Sequence, residues 1–162
     1  MVTQKTGKDT IVAGDPEILE DGEASEALTP GDLVEIGGSN DYQKHASTGG
    51  NAYPLFNVEL EEAGFDRSDD TPSGDTAKLA HCGGGERIIA NVNQTNFSDG
   101  DFLESGSTAG HLDQHSAQSI DYSQTTGTTT IVDRKIVAVV PPDESISNSG
   151  GTDGADMVVL AV

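Results

Sequence analysis

A chain of 162 residues that carries 28 acidic and only 8 basic side chains has a formal net charge of −20, which excludes the partners normally held by Lys and Arg, nucleic acid and anionic membrane surfaces. Hydrophobic residues make up 33% of the chain and aromatics 4%, Trp is absent, and glycine occurs 20 times, so a thin core of small side chains in turn-rich β structure fits better than a helix bundle, where glycine is costly. The single cysteine, Cys82, excludes a disulfide scaffold.

Met1 to Thr10 is a polar arm with Lys5 and Lys8 and no apolar run, so it does not read as a signal peptide. No stretch approaches the roughly 18 apolar residues of a membrane span. Short apolar runs broken by Gly, Asp, Ser and Pro then predict strands at Ile11–Val12, Glu17–Leu19, Leu33–Ile36, Tyr42–Ala46, Leu55–Leu60, Ala77–Ala80, Arg87–Val92, Phe102–Glu104, Ile131–Val140 and Met157–Val162. Pro141-Pro142 ends the ninth of these, because proline cannot donate to a ladder. Glu59 to Ala63 has the pattern of one helical turn stopped by Gly64. Ser68–Asp75, Ser105–Gly110, Ser123–Thr130 and Asn148–Gly154 read as loops, with Thr125–Thr130 alternatively an edge strand. The expected fold is all-β: a small barrel or sandwich of short strands with long Gly/Asp/Ser-rich loops and little helix. The arm covers 1–10 and a single β domain covers 11–162.

Gly31-Asp32-Leu33-Val34-Glu35 returns as Gly100-Asp101-Phe102-Leu103-Glu104, and Gly37 is matched by Gly106. A His-Ala-Ser or His-Ser-Ala stretch follows each, at His45 and at His115. Each copy reads as a Gly-Asp turn that launches a strand, followed by a hairpin return. Duplication of a hairpin unit within a barrel accounts for the pattern; so does chance recurrence of Gly-Asp turns in a β protein rich in both residues.

Few residues suggest chemistry. His111, Asp113 and His115 would share one face of a strand and could ligate a metal, but structural zinc usually takes four ligands and the only thiol is distant. His81 and Cys82 are adjacent, so on a strand they point to opposite faces and the imidazole is badly placed to activate the thiol. Asp66, Asp69, Asp70 and Asp75 crowd one loop and Asp99 and Asp101 flank Gly100, oxygen sets that hard cations favour, without the spacing of a calcium helix-loop-helix. Asn93-Gln94-Thr95 and Asn96-Phe97-Ser98 fit the glycosylation sequon, a frequent chance match. Phosphate-loop, nucleophile-elbow and His-Glu-x-x-His signatures do not occur. No catalytic, cofactor-binding or metal residue is assigned, and no cofactor or enzymatic activity is expected.

Taken in order, EALTPGDLVEI (Glu26 to Ile36), KHAS (Lys44 to Ser47), YPLFNVELE (Tyr53 to Glu61), GDTAKLAHCGGGERIIANV (Gly74 to Val92), SDGDFLESGSTAGHL (Ser98 to Leu112) and RKIVAVV (Arg134 to Val140) form a series. It resembles the small β-rich capsid decoration, or cement, proteins of tailed viruses. The acidic, lysine-poor composition is similar to that of haloarchaeal proteins and points to a haloarchaeal host. The resemblance covers roughly Glu17 to Val140. It implies a homotrimer on the capsid exterior of the virion, bound to the major capsid protein, with no catalytic residues, no nucleic acid and no membrane. The apolar strand DMVVLAV (Asp156 to Val162) either pairs within its own barrel or adds to a neighbour's sheet. A non-catalytic β binding module for a glycan or cell-surface ligand, and a small metal-dependent enzyme using His111, Asp113 and His115, are the alternative readings.

Overall fold

The computed structural model describes residues 10–19, 22–59, 67–93, 97–116, 136–142 and 155–162. These residues form strands and no helix, as the glycine-rich, aromatic-poor composition leads one to expect. The strands are β1 (Ile11–Ala13), β2 (Glu17–Leu19), β3 (Val34–Ile36), β4 (Tyr42–Lys44), β5 (Leu55–Val58), β6 (Lys78–His81), β7 (Arg87–Val92), β8 (Phe102–Ser105), β9 (Leu112–Gln114), β10 (Ala138–Val139) and β11 (Ala155–Ala161). Of the sequence expectations, the turn at Glu59 to Ala63 and the segment 123–130 fall outside the described residues, Glu59 itself excepted. So do 131–135 at the head of the long predicted strand and all of Asn148–Gly154.

The chain is an internal duplication. From β2 to β6, hydrogen-bonded neighbours run β2-β6-β5, then to the β3-β4 hairpin through the Leu33–Phe56 bridge. From β7 to β11 the order is β7-β11-β10-β8-β9. In both halves the first strand neighbours the fifth, the fifth the fourth, the fourth the second and the second the third. A parallel pair then returns from the third strand to the first, Ala24 with Tyr42 in one half and Val92 with Leu112 in the other. The strands of each half are thereby curled, as in part of a small barrel. Registers repeat as well. Leu55–His81 and Phe56–Ala80 are answered by Ala138–Ala161 and Val139–Leu160. Val34–Lys44, Glu35–Gln43 and Ile36–Tyr42 are answered by Leu103–Gln114, Glu104–Asp113 and Ser105–Leu112. The apolar strand at the end of the sequence pairs within its own half, between β7 and β10. β1 lies outside this repeat and pairs antiparallel with β7. It is held there because the buried Glu59 carboxylate accepts the Thr10 N–H at 2.9 and 3.1 Å. Gly83, Gly84 and Gly85, all exposed, join the halves between β6 and β7.

The Gly-Asp signal seen in the sequence is the launching turn of each half. Thr29-Pro30-Gly31-Asp32 and Ser98-Asp99-Gly100-Asp101 each close with the Asp N–H donating to the first residue's carbonyl at 3.0 Å. Gly31 and Gly100 take φ of +95° and +83°, the third position of a type II turn, which requires glycine there. In both turns the aspartate Oδ2 accepts the N–H of the first residue at 2.8 Å. The turn therefore specifies residue types, whereas the strands it starts need only be apolar on the inner face.

Two apolar clusters form the core. Ala24, Leu28, Val34, Tyr42, Leu55, Ala77 and Leu79, with Leu19 against them, fill the first half. The second cluster gathers Ile88, Ala90, Val92, Phe97, Leu103, Leu112, Val137, Ala138 and Val140 of the second half together with Leu33, Phe56, Val58, Ala80 and Cys82 of the first. β5 is buried on both faces, with Leu55 in the first cluster and Phe56 and Val58 in the shared cluster. Ser68–Asp75 is less solvated than its polar sequence suggests. Thr71 is buried and exchanges both backbone hydrogen bonds with Leu28 (2.8 and 3.0 Å), and Ala24 N donates to Asp75 O at 2.9 Å.

Candidate functional site

Among the described residues a dense polar arrangement lies where the halves meet. Gly110, at φ +83° beside the β8–β9 hairpin tip, donates its N–H to His45 O (3.1 Å) and accepts from Leu33 N (2.6 Å). Gly49 N donates to Ser105 O at 2.8 Å, and Asn91 N to Gly31 O at 3.0 Å. Asp32 sits fully buried at the centre: Oδ2 accepts from Thr29 N and pairs with Lys44 Nζ at 3.1 Å, while Oδ1 accepts from Asn91 Nδ2 at 2.8 Å. A Cβ on Gly110 would come within 2.9 Å of the Asp32 carboxylate, so glycine is required there for close approach as well as for φ.

His45 joins two groups across the junction. Its Nε2 lies 3.2 Å from Asn51 O, which can only accept, so Nε2 carries a proton, and Nδ1 shares a hydrogen bond with the Ser105 hydroxyl at 2.6 Å. Glu35 Oε2 is 3.6 Å from Nε2. A serine, an imidazole and a carboxylate in series have the connectivity of a nucleophile, base and orienting acid. Ser105 is fully buried and His45 nearly so, which leaves the hydroxyl without access to a substrate. The series fixes the β4 end against β8. The repeat places an imidazole and a carboxylate, without the serine, in the second half, where His115 Nδ1 contacts the buried Glu104 Oε2 at 2.7 Å.

The residues singled out by sequence are kept apart. Only Leu112–Gln114 is strand, and Asp113 is occupied by the Ser107 N–H at 2.8 Å while His115 turns to Glu104. His111 Nδ1 has no hydrogen-bond partner among the described residues, but neither of its sequence companions joins it. No group of three or more His, Cys, Asp or Glu side chains that could hold a metal occurs among the described residues. In the acidic loop Asp69, Asp70 and Asp75 are exposed; Asp66 lies outside the described residues. Asp101 is held by the Ser98 N–H. Asn93 donates through Nδ2 to Ser107 Oγ at 3.3 Å.

Cys82 is buried and its pKa is pushed up to about 12, first by burial and then by the Glu86 carboxylate. His81 turns away and pairs with Glu17 at 3.6 Å on the surface. The folded thiol therefore keeps its proton where the unfolded one, near 9, has lost it, so stability contributed by Cys82 falls as pH rises from about 9 toward 12. A thiol reagent at pH 8 is expected to leave the folded chain unmodified by mass spectrometry and to add once on unfolding; fast native labelling would contradict the burial.

What the surface offers is charge and scattered apolar residues. Asp15, Glu17, Glu23, Glu26, Asp69, Asp70, Asp75 and Asp99 are exposed, whereas the buried Asp32, Glu59 and Glu104 each have a donor partner. Repulsion among the exposed carboxylates is screened within about 3 Å in 1 M salt and hardly at all in dilute buffer. Dilution from molar to millimolar salt is therefore expected to unfold the chain, read as loss of the β circular-dichroism signal; an unchanged spectrum would refute this. Ile36, Tyr53 and Phe102 are 60%, 72% and 51% exposed. Comparison with protein-family models finds none that matches the chain, and comparison with curated proteins finds none either.

Proposed function

We propose that the chain is a virion structural protein, a capsid decoration or cement subunit that binds the outer surface of a tailed-virus capsid and stabilises it. The observation that carries this reading is the ordered series of Gly-Asp hairpins and apolar strands from Glu26 to Val140, which resembles such proteins. The all-β fold is compatible with it. Polar chemistry at the junction is internal, and the exposed surface is acidic, suited to a basic partner face or to hydration in brine. In this reading the chain self-associates as a trimer, contacts the major capsid protein, and takes no part in catalysis.

The test is direct. Purified protein is mixed at native salt with heads lacking their decoration and sedimented. Stoichiometric binding, with heads that then resist heat or dilution, is the expected result. Heads that sediment bare would overturn the reading.

A further inference from the structure

Among the described residues the duplication leaves one joint made and its counterpart open. In the first half, Leu33 and Phe56 face outward from their own cluster, yet both are fully buried, because the second half covers them. Their repeats in the second half are Phe102 and Val139. Phe102 is 51% exposed and Val139 partly so. The covering side shows the converse. Ser105 and Gly110 of the β8–β9 hairpin are buried against the first half, while their repeats on the β3–β4 hairpin, Ile36 and Asn40, are exposed. Asn40 has φ of +63°, the same left-handed conformation that Gly110 uses to bond both Leu33 and His45. The first-half hairpin thus keeps the backbone shape of the joint without, among the described residues, the neighbour that the second-half hairpin has.

We propose that a second copy of this chain covers Phe102, with its β3–β4 hairpin, Ile36 and Asn40, seated across Phe102 and the end of β9. The intermolecular joint repeats the one inside the chain, head to tail. Both sides of it carry a large apolar residue where a monomer in water would carry a polar one: isoleucine replaces the buried Ser105, and phenylalanine replaces Leu33. His115, partly exposed at this place, stands as His45 does beside the internal joint. A contact between unlike faces either closes into a ring or propagates. The proposal supplies a surface for the self-association in the reading above but rests on the repeat alone, and its test contains no capsid.

The experiment uses the full chain in molar salt. Light scattering behind gel filtration is expected to give a mass above the 16.7 kDa of one chain. Phe102→Asp and, separately, Ile36→Asp should each return the mass to one chain with the β spectrum unchanged, since both positions are exposed. Phe102→Cys and Ile36→Cys proteins, mixed and treated with a short bifunctional maleimide, should link to each other, while neither links to itself; the buried Cys82 stays silent. A monomeric wild type, assembly that survives both aspartates, or efficient Phe102→Cys self-linking would overturn the proposal. In the monomeric case the exposed phenylalanine is left for a different partner, and capsid binding is measured independently.

Discussion

Asp32→Ala is expected to destabilise the chain by about 3 kcal/mol, against about 1 kcal/mol for Asp101→Ala. The two aspartates occupy equivalent turns and make the same 2.8 Å bond to the N–H of the first turn residue. Loss of that bond alone is the smaller figure. Asp32 is fully buried, and its removal also takes the partner from the Lys44 ammonium and leaves the Asn91 amide of the second half only its 3.4 Å bond to Pro30 O. Breaking a buried ion pair by deleting one partner typically costs about 3–5 kcal/mol, and the low end applies because the Lys44 side chain retains 23% exposure. Urea melts of both variants in molar salt check this. Equal losses would mean that the carboxylate does nothing at the junction beyond its turn.

Phe56→Ala is expected to cost about 3–5 kcal/mol, the usual range for emptying a buried aromatic site. Phe56 has no exposed surface and lies among residues of both halves, so the cavity opens at the junction itself. Its repeat, Val139, is only partly buried, and Val139→Ala should cost less than about 1.5 kcal/mol. For a molecule with typical stability of about 5–15 kcal/mol the first variant is left marginal. A melt in which the two variants are indistinguishable would show that the outward face of β5 is not what holds the halves together.

Much of the fold was legible in the sequence because apolar runs flanked by turn residues are a local signal. Glu17–Leu19 and Arg87–Val92 form over their expected bounds, and the runs at Val34, Leu55 and Phe102 are strands within a residue or two. β9 escaped because Leu112 is its one apolar residue, and it is held by backbone pairing to β8 and β7 rather than by its own pattern. The polarity of Ser68–Asp75 hid the bonds to Leu28 for the same reason: they are made by the backbone, which has no sequence signature.

In the sequence the duplication showed at the Gly-Asp turns and at the glycine and histidine that follow each of them. At the turns, conformation restricts the residue, whereas outward strand positions have diverged because one set is covered and the other is not. Leu33 and Phe102, or Ser105 and Ile36, cannot be recognised as equivalents until their registers are compared. The His45–Ser105 contact spans 60 positions in the chain, and no spacing rule reaches that far. The metal reading of His111, Asp113 and His115 misjudged competition, since Ser107 N and Glu104 claim two of the three groups.

Gly83 to Gly85 set the concentration at which the first half meets the second. A short flexible tether holds its ends at an effective concentration on the order of millimolar. At constant salt the internal joint therefore survives dilution of the protein, even with a modest intrinsic affinity. The same surfaces on separate molecules have no such tether, so assembly should follow protein concentration where folding does not.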